Sequence, residues 1–182
     1  MVDLGIEEIE KELMKKESEL DQVMIKSREI VRLCSNAIKA IHGKNIEEAK
    51  KILNEAEKEV AGIRKFESEF PNHIIHIMQE YVEARVVLSA FESKKIPSYR
   101  ELKAPMESYL TGLLDATGEL KRGMYEALRH GKKDDAINYF EMMEQIYDAL
   151  LPLRFSNAIL PEFKRKQDVA RIQIEQARGE LL

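Results

Sequence analysis

A single cysteine, Cys34, allows no internal disulfide and no cysteine-based zinc site, and its place on an apolar stripe reads as an inert small hydrophobe. Glycine and proline are also scarce, eight and five in 182 residues, and no alternating strand pattern of useful length interrupts the helical periodicity. No apolar run approaches the roughly 20 residues of a membrane span. The N-terminal MVDLGIEEIEKEL is acidic and lacks an apolar signal core, so a soluble cytoplasmic protein with no membrane role is expected. A basic excess is missing too, since the net charge is −4. That argues against nucleic acid as a partner only in total, because one basic face can bind phosphates on an acidic protein. Several catalytic signatures are absent: there is no G-x-S-x-G, no glycine-rich phosphate loop, no dinucleotide fingerprint and no Glu-x-x-His.

What is present is helix. Hydrophobic residues make up 44% of the chain, enough for a real core, and no linker divides it, so residues 1–182 are read as one all-α domain. The first helix is expected from about Asp3 to Ile41, with a buried stripe of Leu20, Met24, Ser27, Val31, Cys34, Ile38 and Ile41. At about 1.5 Å per residue it exceeds what a compact bundle of this size needs, which points to packing on another subunit. His42-Gly43 ends it, and Asn45 with Glu48 caps a second helix running to about Glu69. Pro71 suits the first turn of a third, ending near Ser93. A fourth begins at Pro105 and stops at His130-Gly131, a fifth runs from about Lys133 to Leu151, and a sixth from Glu162 to about Arg178.

Two acid pairs stand inside apolar stretches of these helices. Glu80 and Glu83 lie in IIHIMQEYVEARVVLSAF, and Asp115 and Glu119 lie in YLTGLLDATGEL. Spacings of three and four put each pair on one helix face. If the faces meet, four carboxylates converge in apolar surroundings and need a cation or a proton to neutralise them. The first stripe reads His73, His76, Glu80, Glu83, Val87, Phe91, so a core face has been made acidic locally. Gly112 and Gly118 flank the second pair and either mark close approach by another backbone or leave room for a metal and a phosphate. A purely structural reading stays open: tight helix packing, with the acids paired to Lys121, Arg122 or Arg129. All-oxygen ligation favours magnesium or manganese, whereas His73 and His76 keep a His/carboxylate transition-metal site in play.

A second pattern is basic. Arg28, Arg32, Ser35 and Lys39 step by four, three and four along the first helix, either as a solvated face or as a ladder for a nucleic-acid backbone. Lys121 and Arg122 follow Glu119 and are placed to bring a phosphate towards the acids. The run Lys164 to Lys166 opens the sixth helix, where the helix dipole disfavours cations, so it reads as serving an interface or a ligand backbone.

The strings SREIVRLCSNAIKAIH, QEYVEA and YLTGLLDATGELKR together resemble the translin and translin-associated factor X (Trax) family, in order along nearly the whole chain. Translin subunits carry non-acidic residues where Gln-Glu-Tyr-Val-Glu stands here, and Trax subunits keep the acids, so the chain is similar to a compact, prokaryotic, archaeal form of Trax. The resemblance implies an all-α bundle of about six helices that assembles as an octamer, a closed shell around a cavity. It also implies a Mg²⁺-dependent endoribonuclease acting on single-stranded or small RNA held inside, with Mn²⁺ as an alternative ion. Carried across, Glu80, Glu83 and Asp115 match the metal-binding, water-activating acids, and Glu119 matches a fourth acid nearby. Arg28 and Arg32 match the RNA-facing first helix, with Lys39 on the same ladder, and His73 corresponds more loosely to a histidine near the RNA-binding region. The rival reading is a non-catalytic translin-like protein that holds single-stranded RNA or DNA. A third, a metal-oxidation bundle, predicts bound iron.

Overall fold

A computed structural model of the chain describes residues 4–181; the expected helix start at Asp3 lies outside them. Among the described residues there are six α-helices, one 3-10 turn (Arg64–Phe66) and no strand. The helices are α1 (Ile6–His42), α2 (Ile46–Ile63), α3 (Pro71–Phe91), α4 (Met106–Arg129), α5 (Lys133–Leu150) and α6 (Phe163–Leu181). None is long and apolar enough to cross a membrane.

The punctuation follows local chemistry. Gly43 and Asn45 turn the chain between α1 and α2, and the Asn45 side chain accepts from the Glu48 amide at 3.4 Å. Pro71 occupies the first turn of α3, and Gly131 takes φ 69° between α4 and α5. The second helix ends six residues before the expected Glu69, because the chain tightens into the 3-10 turn that buries Phe66. The link between Pro152 and Pro161 is irregular as expected.

α1 and α2 form a hairpin against α3, and α4 packs on α3, α5 and α6. α3 is buried on most of its circumference, with Ile74, Ile77, Met78, Tyr81, Val82, Val86 and Val87 all inside, so it lacks a clean polar stripe. α3 and α4 are pinned in register. Ser108 donates to the Ile75 carbonyl at 2.8 Å, and one turn on, a Cβ placed on Gly112 would sit 2.8 Å from the Gln79 carbonyl oxygen. A further Cβ on Gly123 would meet the Phe91 ring at 2.7 Å. These pairs advance together along both helices, so the two run parallel and segment 92–105 carries the chain back. Gly112 therefore serves backbone approach; it does not leave space for a metal and a phosphate.

The seam of α1 is rotated from the expected one. Val23, Ile30, Leu33, Cys34, Ala37 and Ile41 are buried, while Met24 is exposed and Ser27, Val31 and Ile38 are half-buried. The reason is that α1 packs on two helices at once, α2 and α3, so its buried face is wider than one stripe. Residues 6–18 of α1 are exposed and project beyond the core, carrying Ile6, Ile9, Leu13 and Met14 in the open. Cys34 is wholly buried, and burial, reinforced by Glu80 and Glu83, pushes its thiol up to about 12.

Candidate active site

The parallel register of α3 and α4 decides where the acids fall. Glu80 and Glu83 on α3 and Asp115 on α4 share a cleft of about 440 Å³, walled otherwise by His76, Gln79, Leu114, Arg165, Lys166, Val169 and Gln173. The cleft thus takes three helices: two for the acids, and α6 for the opposing cations. α6 is held there by Gln167, which is buried and donates to the Leu150 carbonyl at 3.0 Å, closing the end of α5.

The three acids are not equivalent. Asp115 is fully engaged: Lys166 Nζ lies 2.5 Å from Oδ1 and 2.7 Å from Oδ2, and Gln79 Nε2 donates to Oδ2 at 2.7 Å. Glu80 and Glu83 have no hydrogen-bond or ion-pair partner among the described residues. Burial pushes the Glu80 carboxyl above its usual range, with His76 opposing and Asp115 adding to the rise. Glu83 is pushed up to about 8, first by burial and then by Asp115, Glu80 and Glu119. Glu83 therefore holds its proton well above the ordinary carboxyl range, chiefly because it is buried and further because its neighbours are acids.

Glu119 stands one turn along α4, outside the cleft wall but close enough to act on Glu83. His42, at the end of α1, holds Glu119 Oε2 at 2.6 Å, and that bond keeps the carboxyl below its usual range, with Arg122 3.6 Å away. The His42 side chain is only 7% exposed and stands edge-on to Phe91. The structural pairing expected for these acids is realised in part, for Glu119 with Arg122; the stronger partners, Lys166 and His42, come from distant segments.

The basic residues divide. Arg28, Arg32 and Lys39 are exposed, and none has an ion-pair partner among the described residues. Lys121 turns away from the cleft to bond Gln176 and lie over the Tyr125 ring, and Arg122 is exposed beside Glu119. His73 is exposed in the first turn of α3, edge-on to Phe70, and does not reach the cleft; His76 does. The residues that sequence reasoning missed are Gln79 and His42; Lys166 was noticed only within the cation run at a helix start, without Asp115 as its partner.

Donor chemistry bears on whether a divalent cation fits. Three carboxylates around one cleft, two of them unpartnered and one raised to about 8 by burial and by its acidic neighbours, make a set of hard oxygen donors short of positive charge. With Lys166 on Asp115, no three His, Cys, Asp or Glu side chains among the described residues converge as they stand tightly enough to ligate an ion. By donor type these carboxylates are of the kind that magnesium or manganese takes, although as they stand they do not close on one point.

These features define an α-helical bundle with an acidic cleft and a free cationic helix face. The Translin family model matches residues 6–177, and the chain belongs to that family. It is 31% identical to an uncharacterized protein of Methanocaldococcus jannaschii over 174 residues, 93% of this chain and 78% of that one. Among solved structures it resembles AfC3PO in a complex with duplex RNA, with TM-score 0.88 and 26% identity, covering 98% of this chain and 95% of that one. Apo-NeC3PO has the same fold, with TM-score 0.90 over 100% of this chain and 97% of that one, at 22% identity.

Proposed function

We propose that the protein is a Trax-like, Mg²⁺-dependent endoribonuclease, with Mn²⁺ as an alternative ion, that binds RNA and assembles as a homo-octameric shell. The observation that carries the reading is the cleft that Glu80, Glu83 and Asp115 share, in which burial and the neighbouring acids push Glu83 up to about 8. Membership of the Translin family, and a neighbour described as bound to duplex RNA, support nucleic acid as the ligand. The apolar stripe on the projecting part of α1 supports assembly.

Glu80, Glu83 and Asp115 would hold the cation. When bound, it lowers the pKa of a coordinated water and screens the charge that builds on the phosphate. Glu83 would give up its proton on holding a cation, since its raised affinity for protons reflects burial and the charge of its neighbours. Gln79 fixes the orientation of Asp115, and Glu119 stays oriented by His42. The ladder Arg28, Arg32, Lys39 spans about 16 Å of α1, the axial rise of about five stacked nucleotides, and its cations are free to take phosphates.

The test is cleavage of a labelled single-stranded RNA with Mg²⁺, comparing wild type with Asp115→Asn. Metal-dependent cutting that falls at least a hundredfold in the variant supports the nuclease. Equal binding without cutting by both proteins would support the second reading, a translin-like protein that holds single-stranded RNA or DNA. One observation favours that alternative: Asp115 and Glu119 already have protein partners.

A further inference from the structure

Lys166 is in an unfavourable place for a cation. It lies in the first turn of α6, next to Lys164 and Arg165, where the helix terminus is itself partly positive. Its neighbours are answered locally, Lys164 by Asp168 and Arg165 by Glu162. Lys166 instead crosses to α4, 51 residues away in sequence, and places its ammonium against both oxygens of Asp115. The pair is half-buried, with Lys166 15% and Asp115 24% exposed. That ammonium lines the same cleft as Glu80 and Glu83 and acts on both of them as well as on Asp115.

We propose that Lys166 is the resident counter-cation of the acid cleft, displaced from Asp115 by an incoming divalent cation and then free to hold a phosphate oxygen of the RNA. The inference rests on the metal-dependent reading above. An ammonium and a divalent ion on the same carboxylate repel each other strongly in a partly dry cleft, so the two compete. The displaced side chain does not lose its surroundings, because Lys166 and Arg165 line the same cleft as the acids. Its flexible stem lets the charge move a few ångströms without moving α6. Metal entry and phosphate capture thereby become linked: the ion frees the cation that the substrate needs, and the phosphate gives that cation a new partner. Until then Lys166 limits the repulsion among acids that would otherwise face one another bare.

The experiment is calorimetric titration of the metal-free protein with Mn²⁺ alone, without RNA, for wild type, Lys166→Met and Lys166→Arg. Losing the competing charge should tighten Mn²⁺ binding by Lys166→Met at least tenfold, while Lys166→Arg, which keeps the charge, stays within about threefold of wild type. Under saturating metal, RNA cleavage by Lys166→Met should fall at least tenfold, opposite in sign to its metal affinity. A simple strut would lower both. Unchanged or weaker Mn²⁺ binding by Lys166→Met, with wild type binding well, overturns the role of Lys166 and leaves the nuclease reading standing. Absence of Mn²⁺ binding in all three proteins, with no cleavage, overturns both. Should Lys166→Met fail to fold by circular dichroism, Lys166→Gln carries the same expectation, since its amide can still bond Asp115 without charge.

Discussion

Neutralising Glu83 should make the metal-free protein more stable at alkaline pH. The Glu83 carboxyl sits at about 8 in the folded chain against an ordinary 4.5, with burial as the first cause and the neighbouring acids as the next. Between those two values the folded state keeps a proton that the unfolded state has released. Stability is therefore highest below the unfolded value and is lost as pH rises through the folded one. At 1.36 kcal/mol for each pH unit, the full interval amounts to about 5 kcal/mol. That is a large part of the 5–15 kcal/mol that usually holds a domain together. Glu83→Gln carries no charge at any pH and keeps the side chain's shape. We expect the variant and wild type to agree within about 1 kcal/mol at pH 5, and the variant to be ahead by about 2–5 kcal/mol at pH 8.5. Denaturant unfolding followed by circular dichroism would measure this, with chelator present and protein concentration fixed because assembly also contributes. A difference between the two proteins that does not change with pH, or a variant weaker than wild type at pH 8.5, would refute the raised Glu83 carboxyl.

Other changes probe the rest of the molecule. Gly112→Ala puts a methyl 2.8 Å from the Gln79 carbonyl and from Val82 Cγ1, forcing α3 and α4 apart. After the gain in helix propensity is subtracted it should cost about 2 kcal/mol in the same denaturant assay, whereas a stabilised variant would deny the close approach. Reversing the ladder with Arg28→Glu and Arg32→Glu should weaken RNA binding and reduce its dependence on salt, lowering the slope of log K against log salt by about 2 or more while assembly persists. An unchanged slope would place the RNA elsewhere.

Helix boundaries were largely legible because single residues set them: Gly43, Pro71, Pro105 and Gly131 each act through their own backbone. The acid pairs were legible for a related reason, as charge inside an apolar periodic run is costly unless it has a purpose. What could not be read was the partner across space. Lys166 meets Asp115 from 51 positions away, and His42 meets Glu119 from 77, so neither shares a local pattern with its acid. The seam of α1 was misread because that helix packs on both α2 and α3, and because Ala37, although wholly buried, is too small to announce itself as core. Gly112 announced a close approach without saying to what, and its partner is the backbone of α3.

The buried thiol of Cys34 has a consequence of its own. It is wholly enclosed where α1 meets α3, beneath Glu80 and Glu83, and at about 12 it offers almost no thiolate near neutral pH. In the closed molecule an alkylating reagent finds neither access nor a nucleophile. Once α1 lifts away, both obstacles go together, because solvent and an ordinary thiol acidity return in the same event. The rate of labelling at this sole cysteine then counts openings of the wall behind the acidic cleft. The chain carries its own clock for that motion, with no foreign probe added.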